Sequence, residues 1–143
     1  TTAALVMGDA LAIGLIHLRD FQPHHFALYH PGGSLGKRLL TKVSDVMHTQ
    51  DLPFVNKEDS MHDAILMMTQ STLGVAIVQN NGMLEGIITD GDLRRALAED
   101  VDINTRTAAD MMTIVPITIS EDEMLATAEE IMRENHIKHL LII

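Results

Sequence analysis

At 143 residues, 46% hydrophobic and 21% charged, the chain suits one compact domain or two small ones, long enough to bury a core unaided. It contains no cysteine, which excludes disulfides, a thiolate nucleophile and thiolate-bound zinc. Ten basic against twenty acidic residues give a net charge of −10, most of it carried after Gln70, and such a surface repels nucleic acid and anionic membrane. Neither is expected as a partner, and the compartment reads as cytoplasmic.

The first predicted element is a helix over residues 3–19, built from small and aliphatic side chains and apolar on nearly all sides. It is too short to span a bilayer comfortably, is interrupted by Gly8, Asp9 and Gly14, and lacks the basic lead-in of a signal peptide. A helix of this kind is normally buried by a larger domain. Opening at Thr1-Thr2 inside it, the chain reads as cut from something longer. Residues 30–38, His-Pro-Gly-Gly-Ser-Leu-Gly-Lys-Arg, read as a glycine-rich loop. They do not form a triphosphate-binding loop: Gly32 and Gly36 are too close, no strand precedes them, and Arg38 stands where Ser or Thr is required.

From about Val43 the sequence repeats itself. An offset of 64 carries Val75-Ala76-Ile77-Val78 onto His139-Leu140-Leu141-Ile142, Met68 onto Met132, Ala64 onto Ala128 and Val55 onto Ile119. It also carries Asn56 and Asp59 onto Ser120 and Glu123, both pairs having the spacing of a helix-start box. Upstream, Asp45-Val46-Met47 matches Asp110-Met111-Met112 at an offset of 65. Each unit is predicted as strand, helix, strand. In the first these are 54–55, 60–70 and 75–79, followed by an Asn80-Asn81-Gly82 turn, a returning strand over 84–89 and a helix over 92–98. The second unit is expected to lack its turn, returning strand and closing helix before Ile143.

This tandem β-α-β-β-α arrangement resembles the cystathionine-β-synthase (CBS) domain pair. The matching residues are Asp45-Val46-Met47, the run Gly86-Ile87-Ile88-Thr89-Asp90-Gly91-Asp92-Leu93, and Ala109-Asp110-Met111-Met112. The preceding stretches, 1–12, Asp20-Phe21 and Phe26 through Gly36 with its His-Pro-Gly-Gly-x-Leu-Gly, resemble the end of the sugar isomerase domain of D-arabinose-5-phosphate isomerases. That family carries a CBS pair directly afterwards. The resemblance implies an α/β fold: a remnant of the isomerase domain over 1–42, a first CBS motif over 43–104 and an incomplete second motif over 105–143. The two motifs are expected to pack through their sheets around a cleft.

The same resemblance implies where ligands bind. Asp92 would hold a ribose diol, being a carboxylate with several acceptor sites, and Thr89 the sugar or phosphate. Read from the residues alone, Thr89 and Asp92 form a helix cap. Cations for a phosphate would come from Arg94, Arg95, Lys138, His136 or His139. Pro53 and Pro116, at strand openings, would leave neighbouring backbone groups free for a base edge. His30 is implied as catalytic in the intact enzyme, since aldose–ketose conversion needs a group that gives and takes protons near neutral pH. Its carboxylate and lysine partners are not in this chain, so the fragment alone should not turn over. No cofactor is required, and the eight histidines show no metal-ligand spacing. The ten methionines read as adaptable core filler.

The expectation is a regulatory CBS pair of an enzyme that interconverts ribulose 5-phosphate and arabinose 5-phosphate for Kdo synthesis, serving lipopolysaccharide or capsule. CMP-Kdo would be its feedback effector, and a homodimer or homotetramer its assembly. The alternatives are an adenosine-nucleotide sensor binding AMP or ATP, and a ligand-free dimerisation scaffold.

Overall fold

The computed structural model of the chain describes residues 1–30, 32–33, 36 and 39–143, the side chains of Pro23 and His24 excepted. Pro31, Ser34, Leu35, Lys37 and Arg38 of the predicted glycine-rich loop lie outside the described residues. The chain forms two compact units: Thr1–Val46 with Ser120–His136, and Met47–Ile119 with Ile137–Ile143.

In the first unit, α1 (Thr2–Leu18) is the predicted leading helix. With aliphatic side chains all round it has no single apolar stripe, and all of its residues are exposed, Leu5 at 69% and Leu18 at 83%. A short α2 (Pro23–Tyr29) follows, started by Pro23, whose missing N–H costs nothing in a first turn. The backbone N–H of Gln22 donates to His25 Nδ1 at 3.1 Å to complete its cap. A 3-10 turn, Val43–Asp45, comes next.

In the second unit, β1 (Phe54–Asn56) pairs parallel with β2 (Val75–Asn80), which pairs antiparallel with β3 (Met83–Thr89). The β2–β3 connection is Asn81-Gly82, both at positive φ (51° and 79°), the left-handed pair that a two-residue hairpin demands. A two-residue β4 (Thr113–Ile114) completes the sheet on the far side of β3. Between β1 and β2 runs α3 (Met61–Ser71), which turns Met61, Ala64 and Met68 inward at helical spacing. They meet Val55, Ala76, Val78, Ile88 and Ala108 in the core. After β3 comes α4 (Asp90–Ala98), then a 3-10 turn, Ile103–Thr105, and the single-turn α5 (Ala108–Met111).

The internal repeat holds in three dimensions. β5 (Thr118–Ile119) pairs parallel with β6 (Leu141–Ile142), and Thr118↔Leu141 reproduces Phe54↔Ile77 at the same offset of 64. The helix between them, α6 (Leu125–Glu134), buries Ala128 as α3 buries Ala64. Left-handed residues recur in register as well: Asp51 with Val115 (φ 50° and 54°) and Thr72 with His136 (φ 59° and 54°).

The repeats also exchange their lead-in segments, a pairing with no local signal in the sequence. Val43 N–H donates to the Glu123 carbonyl (2.9 Å), Ser44 N–H to Glu121 (3.0 Å), and Leu125 N–H to Thr41 (2.8 Å). The other lead-in does the same. Ala108 N–H donates to Asp59 (2.9 Å), Ala109 N–H to Lys57 (2.9 Å), and Met61 N–H to Arg106 (3.0 Å). Each repeat thus supplies the rung that fixes the helix start of the other.

One helix-start reading needs correction. Asn56 and Asp59 do not cap α3: Asp59 Oδ2 accepts the Asn56 N–H (2.7 Å) and closes a turn ahead of the helix. Ser60 is the cap, its Oγ accepting from Asp63 N–H at 3.2 Å. The box spacing occurs in both places, and the turn's side chain–backbone bond has the geometry of a cap with no helix behind it.

Candidate ligand site

The sheet of the second unit gathers chain ends at one edge. β1 begins, β2 begins and β3 finishes there, because β1 is parallel and β3 antiparallel to β2. Thr89 lies opposite Val75, and Ile77 N–H donates to the Pro53 carbonyl (2.8 Å). From this edge α4 departs. Gly74 brings its neighbour close, its carbonyl accepting the Asp90 N–H at 3.1 Å. Its φ is +66°, which favours glycine, and a Cβ there would stand 2.8 Å from Asp90 Oδ2 and push that exposed side chain aside.

Thr89 and Asp92 form the expected capping box. Asp92 Oδ2 accepts both the Thr89 N–H and the Thr89 Oγ1–H, each at 2.7 Å. Its other oxygen, Oδ1, is held by Arg95 Nη2, one helical turn further on. The Asp92 side chain is 11% exposed, whereas Arg95 is 69% exposed. Gly91 lies beneath the cluster, where a Cβ would stand 3.3 Å from Thr89 Oγ1 and 3.7 Å from Arg95 Nη1.

A second strand end approaches the same edge. His139 Nε2 lies 2.9 Å from the carbonyl of Leu73, so that nitrogen carries the hydrogen and donates it. Lys138, beside it, is exposed and has no hydrogen bond or ion pair among the described residues. Arg94 is exposed on α4.

Not every candidate residue joins this group. The Pro53 ring is fully buried, and two of the backbone groups beside it are taken: its carbonyl is in the β1–β2 ladder, and that of Leu52 accepts Phe54 N–H (2.9 Å). Pro116 is not its counterpart. Ile117 fills that role, its carbonyl accepting Leu141 N–H at 3.4 Å, while Pro116 precedes β5 by two residues. β4 runs from Thr113, opposite Ile87, to Ile114, opposite Gly86, so the chain reaches Pro116 by moving away from the Thr89 end of β3. His136 belongs to the other unit, exposed and left-handed just beyond α6. Arg95 and His139 are the contacts that the sequence left undistinguished among several cations. The three-residue spacing of Asp92 and Arg95 on one helix face was the available signal.

His30 lies in the first unit at the end of α2, exposed. Its N–H donates to the Phe26 carbonyl (3.0 Å), its carbonyl accepts Gly33 N–H (3.3 Å), and its ring lies 4.7 Å from that of Phe26.

The Thr89–Asp92 geometry recurs in full at one lead-in and through its backbone bond alone at the other. Thr107 donates through N–H (2.9 Å) and Oγ1–H (3.0 Å) to Asp110 Oδ2, and these bonds hold the Asp110 carboxyl below the usual carboxylate range. Lys42 N–H donates to Asp45 (2.9 Å). The Lys42 ammonium pairs with Asp122 at 2.8 Å, which lowers the Asp122 carboxyl and raises the lysine. Among the described residues no group of three or more His, Asp or Glu side chains is placed to hold a metal ion, and no helix is long and apolar enough to cross a membrane.

Known proteins agree with this architecture. The chain is 48% identical over 143 residues to arabinose 5-phosphate isomerase KpsF of Escherichia coli, a match covering 99% of the chain and 43% of the relative. It is 44% identical over 144 residues to arabinose 5-phosphate isomerase KdsD of Escherichia coli K12, covering 99% and 44%. It thus spans less than half the length of the curated relatives it matches. Among solved structures, a CBS domain protein of Pyrobaculum aerophilum complexed with AMP superposes with a TM-score of 0.65 at 18% identity, covering 72% of this chain and 79% of that one. The CBS domain model matches residues 43–99 and 108–143, the two repeats described above, and the chain belongs to the CBS domain family.

Proposed function

We propose that the chain is the nucleotide-sensing region of an arabinose 5-phosphate isomerase, joined to the end of its catalytic domain. In this reading residues 1–42 close the sugar isomerase domain, and 43–104 and 105–143 are the two CBS motifs. The observation that carries it is the Thr89–Asp92 box, set where two strands begin and a third ends, in a chain 48% identical to such an isomerase along nearly its whole length. The whole enzyme interconverts ribulose 5-phosphate and arabinose 5-phosphate, and His30 relays a proton between the adjacent carbons. The effector is a nucleotide, and CMP-Kdo, the activated acidic sugar, is the one that feedback would use. Asp92 and Thr89 take its ribose. Arg94 and Lys138 take its phosphate or carboxylate, and the assembly is a homodimer or homotetramer.

Calorimetric titration with CMP-Kdo, CMP, AMP and ATP tests the proposal. CMP-Kdo is expected to bind with the highest affinity and to raise the melting temperature. A preference for AMP, the ligand in the Pyrobaculum aerophilum structure, would make the site an adenosine sensor. No heat and no melting shift with any of the four at millimolar concentration would overturn the nucleotide reading.

One observation favours a second reading, a ligand-free scaffold. Both Asp92 oxygens already have partners within the chain, Oδ2 in the helix cap and Oδ1 on Arg95. An Asp92→Ala variant separates the two. A ligand site loses its nucleotide affinity, whereas a cap loses only about 1 kcal/mol of stability.

A further inference from the structure

A carboxylate offers about four lone-pair sites on its two oxygens. In Asp92, two on Oδ2 are taken by the Thr89 N–H and hydroxyl, and one on Oδ1 by the Arg95 guanidinium. One site is left, and a vicinal diol needs two. The Thr89 bonds hold the start of α4 and are not available for exchange without fraying the helix. The Arg95 contact is of a different kind. Its donor stands on the solvent side, 69% exposed, while its acceptor is 11% exposed, so only the arginine is free to swing away.

Resting on the nucleotide reading above, we propose that Arg95 gates this site. It pairs with the ribose-binding oxygen of Asp92, and it leaves that oxygen for the anionic group of the ligand on binding. A nucleotide exchanges one charge-assisted bond for another, because its phosphate re-pairs the displaced guanidinium. A neutral nucleoside breaks the Arg95–Asp92 pair and offers the arginine only water. Arg95 thereby makes the presence of a phosphate or carboxylate on the ligand a condition of ribose binding. Selectivity then comes from competition within the protein as well as from attraction to the ligand.

The test compares two matched ligand pairs, CMP with cytidine and AMP with adenosine, by calorimetry on the full-length protein and its Arg95→Gln and Arg95→Lys variants. In the wild type the nucleotide of the tighter pair is expected to bind about tenfold or more better than its nucleoside. In Arg95→Gln the nucleoside gains affinity, the nucleotide loses it, and the ratio falls severalfold, the preference that remains coming from Arg94 and Lys138. Arg95→Lys restores part of the preference. Nucleotide binding with an unchanged ratio in Arg95→Gln would overturn the gate and leave the nucleotide reading standing. A fall in nucleotide affinity with no rise in nucleoside affinity would also overturn it, since that describes a simple phosphate contact. No binding of any ligand to any form would overturn the nucleotide reading and the gate together. Thermal melting without ligand checks that the variants are folded.

Discussion

Gly86 lies in β3 opposite Ile114 of β4, and a Cβ at this position would stand 2.7 Å from Met112 Sδ and 2.8 Å from the Thr113 carbonyl. The sulfur belongs to a flexible side chain, but the carbonyl is backbone and yields less readily. Gly86→Ala should therefore cost about 1–3 kcal/mol, read as a lowered midpoint in urea unfolding. Val115 presents the opposite case. It is 85% exposed and left-handed at φ 54°, a conformation that a β-branched residue enters at a penalty. Val115→Gly should raise stability by about 1 kcal/mol in the same assay. Asp110 supplies a dependence on pH. Hydrogen bonds from Thr107 lower its folded pKa, so its contribution is complete above the ordinary aspartate value, near about 4, and is lost as pH falls through the lower folded value. Acid titration of stability should thus be shallower in Asp110→Asn than in the wild type below about pH 4.

For the elements, α3 is the one on which the sheet depends. Met61 is fully buried and Ser60 caps it. Met61→Ala should cost about 2–5 kcal/mol and Ser60→Ala about 1 kcal/mol, both measurable by chemical unfolding. Most elements could be read in the sequence because their signals are local: inward positions at helical spacing in α3, Asn-Gly in the hairpin, and Thr followed at three residues by Asp before α4. The same local reading went astray at Asn56 and Asp59, where a turn uses the spacing of a cap. It does not single out Arg95, since two adjacent arginines look alike until a helix assigns one of them to Asp92. Nor does it show which carbonyls beside Pro53 are taken, because strand pairing decides that, and the partner strand lies more than twenty residues away.

For the whole molecule, long-range pairing matters most and was least legible. Lys42 and Asp122 are 80 residues apart, and nothing near either residue indicates the other. The leading helix is the other feature of this scale. Its aliphatic surface is exposed throughout, and in the reading proposed above the rest of the isomerase domain would cover it; in this polypeptide alone, self-association is the means left to hide it. Replacing Leu5, Leu11 and Leu15 together by Gln should lower the sedimentation coefficient of this 143-residue polypeptide if that helix joins copies to one another. The exchanged lead-ins carry a further consequence. A half-molecule cut between the repeats would keep an arm whose docking groove has been removed and a groove whose arm has been removed. The two vacancies match, so two identical halves can satisfy each other in a reciprocal embrace.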